Sequence, residues 1–205
     1  MSDLGTQCVS RRDRLGLWCF VSFGVVAAVT TVYRSVARVI EVLPNDGVTV
    51  TADFAGTTAQ APIGPGGSDA AVQLERAVLT VPSLPVASVG AIVIQQAVLA
   101  VGVVVVVACL SLLIRNIAAG RIFCARSTRY ATGASIAGFA TYALVPFFGN
   151  MAANGAFARL SDRTFDNVVM SADVTGLVLA GFLAALASTV FAIGDRVRRD
   201  TEGLV

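Results

Sequence analysis

Four long apolar runs dominate the chain and are separated by polar, charged segments. They cover about 15–33, 89–114, 131–149 and 174–194, and none has a charged residue in its interior. A helix needs about 20 apolar residues to cross the hydrocarbon core of a bilayer. The five valines of 103–107 favour a strand in water, but in hydrocarbon only a helix satisfies its own backbone groups. The pattern therefore predicts an all-α membrane protein, a bundle of four transmembrane helices.

Segment 34–88 has a different pattern, in which apolar and polar residues alternate with period two over 47–54 and again over 71–81. Asn45-Asp46-Gly47 before the first stretch is typical of a turn, and Pro82 ends the second. This segment predicts a small β-hairpin cap between the first and second helices. Segment 150–173 partly fits a helical stripe, which predicts a short interfacial helix, and 195–205 is expected to be a polar tail.

Charged residues make up 14% of the chain, against about 25% in a typical soluble protein, and they lie between the apolar runs. All fifteen basic residues are arginine. Ten of them lie before the first run, in the 115–130 loop or after the fourth run. Because cytoplasmic loops of membrane proteins carry the excess of positive charge, both termini are predicted to be cytoplasmic. The segments 34–88 and 150–173 are then extracytoplasmic.

The first apolar run also resembles a secretory signal peptide, with Arg11, Arg12 and Arg14 in front of it. A signal peptide has an apolar core of about 7–15 residues, and this run is longer. We therefore expect a retained membrane anchor.

Residue types that carry common chemistry are missing. There is no histidine, the commonest general base and metal ligand, and no Walker loop, GxSxG or HExxH motif. Cys8, Cys19, Cys109 and Cys124 match no zinc spacing, and none falls in an exported segment, so no structural disulfide is expected. The sequence thus predicts no catalytic site, no metal and no cofactor.

The inner loop 115–130 and the tail after Gly194 hold seven arginines and two aromatic residues. Gly120 is expected to end the second helix in a left-handed cap, and Ser127 or Thr128 to open the third. The arginines either anchor the helices at the lipid surface or form a docking surface for a cytoplasmic protein. The predicted interaction surface comprises Gly120, Phe123, Arg126, Arg129, Arg198 and Arg199.

Three outer carboxylates, Asp162, Asp166 and Asp173, form a second candidate site. Asp162 and Asp166 would lie one helical turn apart, a spacing that suits a hard cation. Solvated surface charge is the simpler interpretation, because no further acidic cluster accompanies them.

Contacts between the helices are expected at polar and small residues. Gln95 and Gln96 are predicted to hydrogen-bond between helices rather than to line a substrate path, and Pro146 to kink the third helix. Small residues spaced by four allow close backbone approach; these are Gly24 and Ala28, Ala134 and Gly138, Ala180 and Ala184, and Gly181 and Ala185.

Two motifs resemble a known family. Gly120-x-x-Phe123 is followed by an arginine-bearing helix start and Gly133, and the C-terminal run begins at Phe191 and reaches Val205. These features resemble domain of unknown function 2975 (DUF2975), an uncharacterised bacterial family of four-helix membrane proteins, although the family has Asn where Ser127 stands. The resemblance implies the bacterial cytoplasmic membrane and, from gene neighbourhood, a small helix-turn-helix regulator as partner.

Three functions remain open at this point. The first is a non-enzymatic sensory, regulatory or scaffolding membrane protein that contacts the lipid bilayer and a cytoplasmic protein, with no direct contact to nucleic acid. The second is an accessory subunit or a small transporter or channel that works as a homo-oligomer. The third is a membrane enzyme, against which the lack of histidine and of buried charge counts.

Overall fold

A computed structural model describes residues 11–165 and 170–202 of the chain. The helices are α1 (Arg11–Val42), α2 (Val86–Ala118), α3 (Ala125–Leu160) and α4 (Val174–Glu202). Between α1 and α2 lie strands β1 (Val48–Ala61) and β2 (Ala70–Val81), with a short 3-10 turn at Pro65–Gly67. The chain divides into two compact units. Of the described residues, unit 1 contains 11–35, 98–143 and 173–202, and unit 2 contains 36–97, 144–165 and 170–172.

All four helices are long and apolar enough to cross a membrane. The qualifying stretches are Leu15–Val42, Val86–Ala118, Ala125–Leu160 and Val174–Thr201. This confirms the prediction of four long apolar helices and indicates a membrane location.

The helices extend beyond the predicted apolar runs, which corrects the expected loops. Residues 34–42 continue α1, 150–160 continue α3, and 195–202 belong to α4 rather than to a separate tail. No separate helix begins in the described part of 150–173. Hydrophobicity marks where lipid surrounds a helix, whereas the helix itself ends only where capping or backbone chemistry stops it.

Small residues bring the helices of unit 1 together, as predicted. A Cβ atom added at Gly24 of α1 would lie 3.3 Å from the side chain of Val107 in α2. One at Gly181 of α4 would lie 3.4 Å from the ring of Phe139 in α3. The tightest of these approaches involves Gly102 of α2, which the spacing pattern did not single out. Its added Cβ would overlap the side chain of Thr141 in α3.

The core of unit 2 forms where the base of the hairpin meets the helix ends. β1 and β2 are antiparallel, paired from Val48 with Val81 to Ala61 with Ala70, and the register shifts between Asp53 and Thr57. The buried apolar residues are Val42, Val48, Val50, Ala52, Val81, Leu84, Ala91, Ile92, Ala152, Ala153, Ala156 and Phe157. A lone hairpin is marginally stable in water. Burial of its base against helical side chains therefore supplies the stability that the two strands lack.

The turn before β1 joins both ends of the hairpin. Asn45 adopts a positive φ of 54° and Gly47 one of 62°, which confirms the predicted turn. The amide of Asn45 accepts a hydrogen bond from the Leu84 N–H (2.8 Å) and donates one to the Leu84 carbonyl (2.9 Å). The Asn45 side chain thereby takes the place of the backbone hydrogen bonds that would extend the ladder beyond the pair of Val48 and Val81.

Gln95 links α2 to α3 inside unit 2. Its Nε2 donates to the carbonyl of Val145 at 2.9 Å, next to Pro146. Gly149 leaves room for this amide, because a Cβ there would lie 2.7 Å from Nε2. The expected interhelical hydrogen bond of Gln95 is confirmed.

Candidate functional site

The loop between α2 and α3 begins with a complete helix cap. Gly120 has a φ of 73°, its N–H donates to the Ile117 carbonyl (2.9 Å), and the Arg121 N–H donates to the Asn116 carbonyl (2.9 Å). This pair of bonds is the Schellman motif, in which the left-handed residue is usually glycine because a side chain is strained there. The predicted cap at Gly120 is confirmed.

The start of α3 differs from the prediction. The helix begins at Ala125, so the capping position belongs to Cys124, whose Sγ accepts a hydrogen bond from the Ser127 N–H at 3.4 Å. The hydroxyl of Ser127 lies 3.2 Å from the same sulfur, and this contact lowers the pKa of the Cys124 thiol. Neither Ser127 nor Thr128 is the cap. A cysteine is not among the preferred N-cap residues, which is why sequence reasoning chose a hydroxyl.

Ser127 is instead the buried centre of the loop. The residue is fully buried, and its Oγ donates to the carbonyl of Arg121 at 3.1 Å. The amide of Asn116, near the end of α2, donates to the same Oγ at 3.3 Å. These bonds hold the end of α2 and the start of α3 in one arrangement.

The loop is also attached to α4. The rings of Phe123 and Phe191 pack with centroids 6.0 Å apart, and the Thr128 hydroxyl donates to the Phe191 carbonyl at 3.2 Å. Gly194 lies beneath Phe123, since a Cβ at this position would overlap the aromatic ring. Phe123 remains 36% exposed. It was expected to be an exposed contact residue, but much of its ring serves to join the loop to α4.

The structure thus brings the predicted loop and tail residues together in unit 1. We call Gly120, Phe123, Arg126, Arg129, Arg198 and Arg199 the loop–tail surface, and all six are solvent-exposed.

Asp195 is a residue of this region that sequence reasoning missed. It is only 3% exposed, and its carboxylate forms an ion pair with Arg199 one helical turn later. Arg198 Nη2 lies 3.9 Å from the other carboxylate oxygen. Spacings of three and four residues between opposite charges on a helix were the available signal.

Of the outer carboxylates, Asp162 does not take the helical position predicted for it. Asp162 follows the end of α3 with a positive φ of 48°, so it does not lie on a helix, and Asp166 is outside the described residues. Asp173 caps α4, because its Oδ1 accepts from the Gly176 N–H (2.8 Å) and its Oδ2 from the Tyr142 hydroxyl (2.9 Å). The bond from Gly176 lowers the pKa of Asp173. Within residues 11–165 and 170–202, no three potential metal ligands lie together.

A separate polar network connects the hairpin of unit 2 to the segment before α4. Asp53 in β1 accepts from Arg76 Nε in β2 at 2.6 Å and from the Ser171 hydroxyl at 2.5 Å. The amide of Asn150 in α3 donates to the Ser171 carbonyl at 2.6 Å. Asp53 therefore ties Ser171 to the sheet.

We expect acid to weaken this network. The hydrogen bond from Arg76 is the largest cause of a lowered pKa of Asp53, followed by that from Ser171. A lowered pKa means that the ionised carboxylate stabilises the fold above the unfolded-state value near 3.8, and that this stability is lost as pH falls through the lower folded-state pKa. The contribution of Asp53 to the thermal stability of the purified protein should be constant near neutral pH and should decrease below about pH 4. In a plot of melting temperature against pH, Asp53→Asn should reduce the fall at acid pH (the acid limb). Asp69→Asn, in the exposed turn between the strands, should leave that fall unchanged. An unaltered acid limb in Asp53→Asn would contradict the assignment.

Comparison with known proteins returned no match, whether among family models, curated proteins or solved structures.

Proposed function

We propose that this protein is a non-enzymatic, multi-pass protein of a bacterial cytoplasmic membrane that has a sensory or regulatory role. Its loop–tail surface lies on the cytoplasmic side and docks a cytoplasmic protein, while the hairpin of unit 2 lies outside. The arginine distribution supports this orientation, because ten of the fifteen arginines lie at the start of α1, in or beside the loop between α2 and α3, or near the end of α4.

The observation that carries the docking proposal is the attachment of the loop to α4. Phe123 packs on Phe191, and Thr128 donates to the Phe191 carbonyl, so the arginines of two distant segments belong to one preformed surface. Arginines that only anchor a helix to lipid need no such fixed arrangement. A preformed surface loses little conformational entropy when a partner binds, which favours recognition of a protein.

The charge of the surface defines the partner. Arg126 and Arg129 are exposed in the first turns of α3, and Arg198 and Arg199 are exposed on α4. Such a surface attracts a protein with an acidic patch, and charge complementarity speeds the encounter and selects against basic partners. The resemblance of the Gly120–Phe123 motif and the C-terminal run to DUF2975 supplies a candidate, the small helix-turn-helix regulator encoded beside such genes.

Photo-cross-linking in intact cells tests the docking proposal. A photoreactive amino acid at exposed Ile122 should capture the partner, which mass spectrometry identifies. The double variant Arg126→Ala/Arg129→Ala in the same background should reduce capture at least about tenfold, the effect expected if these arginines are hot spots of the interface, which cost about 2 kcal/mol or more each. Phe123 is left intact because its ring joins the loop to α4.

A matched control removes two exposed arginines elsewhere. Arg34→Ala/Arg163→Ala carries the same change of charge and should preserve capture. Both double variants should insert into the membrane at normal levels. Eight of the ten arginines on the predicted cytoplasmic side remain in Arg126→Ala/Arg129→Ala, and all ten remain in Arg34→Ala/Arg163→Ala. Equal capture by the two doubles would contradict docking and leave the arginines with the role of lipid anchors.

A further inference from the structure

A polar cleft beside the end of α4 shares only Arg199 with the loop–tail surface. It has a volume of about 380 Å³ and is lined by Thr128, Ala192, Asp195, Arg196, Arg199 and Asp200. The cleft lies entirely in unit 1, where the apolar runs of α3 and α4 give way to charged residues. In helices that cross a membrane, this boundary lies at the level of the lipid headgroups.

A buried carboxylate in the cleft has one oxygen that accepts no hydrogen bond from the described residues. Asp195 is 3% exposed; its Oδ2 contacts Arg199, whereas its Oδ1 is buried and accepts no hydrogen bond from the residues that the structure describes. Arg198 forms an ion pair with Oδ1 at 3.9 Å, a separation beyond hydrogen-bonding distance. Because a buried carboxylate oxygen without a donor is costly, a ligand that brings an N–H group to this position gains affinity.

The same cleft also presents positive charge. Arg196 and Arg199 are exposed residues of its lining, and guanidinium groups bind phosphate through paired N–H donors. Asp200 adds a second carboxylate. A ligand that matches both features has a cationic N–H donor and a phosphate in the same small group.

We propose that this cleft binds the headgroup of an aminophospholipid, a phosphodiester joined to a primary ammonium as in phosphatidylethanolamine. The ammonium donates to Asp195 Oδ1 and interacts with Asp200, and the phosphodiester accepts from Arg196 and Arg199. A phosphocholine headgroup has no N–H to donate, and an anionic glycerol headgroup has no cation for the carboxylates. The site does not depend on protein docking, although Arg199 also belongs to the loop–tail surface.

Lipid competition on the full-length protein tests this assignment. The protein in mild detergent is mixed with phosphatidylethanolamine, phosphatidylcholine and phosphatidylglycerol of identical acyl chains, and retained lipid is measured by native mass spectrometry. Phosphatidylethanolamine should be retained about tenfold more than phosphatidylcholine, the expected effect of one charge-assisted hydrogen bond. Equal retention of these two lipids would overturn the proposal, and it is the result expected if the cleft instead receives a basic side chain of a protein partner.

Two variants separate the ammonium contact from the phosphate contact. Asp195→Asn should bring retention of phosphatidylethanolamine close to that of phosphatidylcholine, with phosphatidylglycerol unaffected. Arg196→Gln should lower the retention of all three lipids and keep the preference for phosphatidylethanolamine among what remains. The exposed Asp69→Asn in unit 2 is the matched control and should change neither. A preference that survives in Asp195→Asn would overturn the role of Asp195, and if that variant fails to fold, the wild-type competition and Arg196→Gln still decide the proposal.

Soluble glycerophosphoethanolamine distinguishes a membrane lipid from a free headgroup. It carries the same ammonium and phosphodiester but has no acyl chains. Because the cleft adjoins the apolar runs, the intact lipid should bind more tightly, and the soluble compound should displace it only in large excess. Displacement at equal concentration would overturn the assignment to a lipid.

Discussion

A reporter enzyme that works only in the cytoplasm is expected to be active when fused after Val205 or inserted after Arg121, and inactive when inserted at Gly66. Arg121 lies in the exposed loop between α2 and α3, and Gly66 lies in the exposed turn between the strands, so neither insertion interrupts the core. The physical reason is the excess of arginine flanking one set of helix ends. The effect is all-or-none, since each position lies on one side of the membrane.

A complementary reporter that folds only outside the cytoplasm should show the reverse pattern at the same three positions. Cytoplasmic activity at Gly66 would overturn both the orientation and the cytoplasmic placement of the loop–tail surface. The docking proposal would fall with it, whereas the arrangement of Phe123, Phe191 and Asp195 within unit 1 would stand.

Replacing Gly102 by leucine is expected to destabilise the protein by about 1–3 kcal/mol, the usual cost of overpacking a well-packed interior. A side chain at this position of α2 would overlap Thr141 of α3. The Thr141 hydroxyl is held by a 2.7 Å bond to the Ala137 carbonyl, so it cannot turn away without losing that bond. In a membrane the helices are held together by packing rather than by hydrophobicity. The loss of close approach therefore lowers the stability of the protein directly.

Unfolding in mixed micelles with increasing SDS measures this effect. Val105→Leu, on the same helix at a residue that is 38% exposed, is the matched control and should shift the midpoint little. Gly102→Ala should be destabilised less than Gly102→Leu, and adding Thr141→Ala should recover part of the loss, because Oγ1 and Cγ2 are among the overlapping atoms. Additive effects in this double variant would show that the two positions do not touch.

The candidate site was predictable in its parts but not in its assembly. Gly120 followed from local backbone chemistry, because only the few residues around it form the cap, and its left-handed conformation was confirmed. Arg126 and Arg198, which were named for the predicted interaction surface, are exposed. The helix cap at Cys124 and the burial of Ser127 were not predicted, since each depends on which neighbour reaches the free N–H or hydroxyl group.

Asp162 and Asp173 are residues whose surroundings in the structure the sequence did not predict. Asp162 was expected one helical turn from Asp166, but the chain turns at Asp162 with a positive φ, and Asp173 is engaged by Gly176 and Tyr142. Whether a carboxylate is available for a ligand depends on hydrogen-bond partners that can be distant in sequence, as Tyr142 is from Asp173. Sequence spacing predicts such contacts only within a regular helix or strand.

The sequence by itself determined the four apolar helices, the hairpin between the first two and the turn at Asn45. Each of these follows from hydrophobic periodicity or local turn chemistry, which act over a few residues. Only the tertiary structure decided that Gly102 of α2 lies close against Thr141 of α3, that Phe123 packs on Phe191, and that Asp195 is buried with one oxygen that accepts no hydrogen bond from the described residues. These facts depend on which side chains from separate helices pack against each other. The pattern of residues along the chain does not specify those contacts.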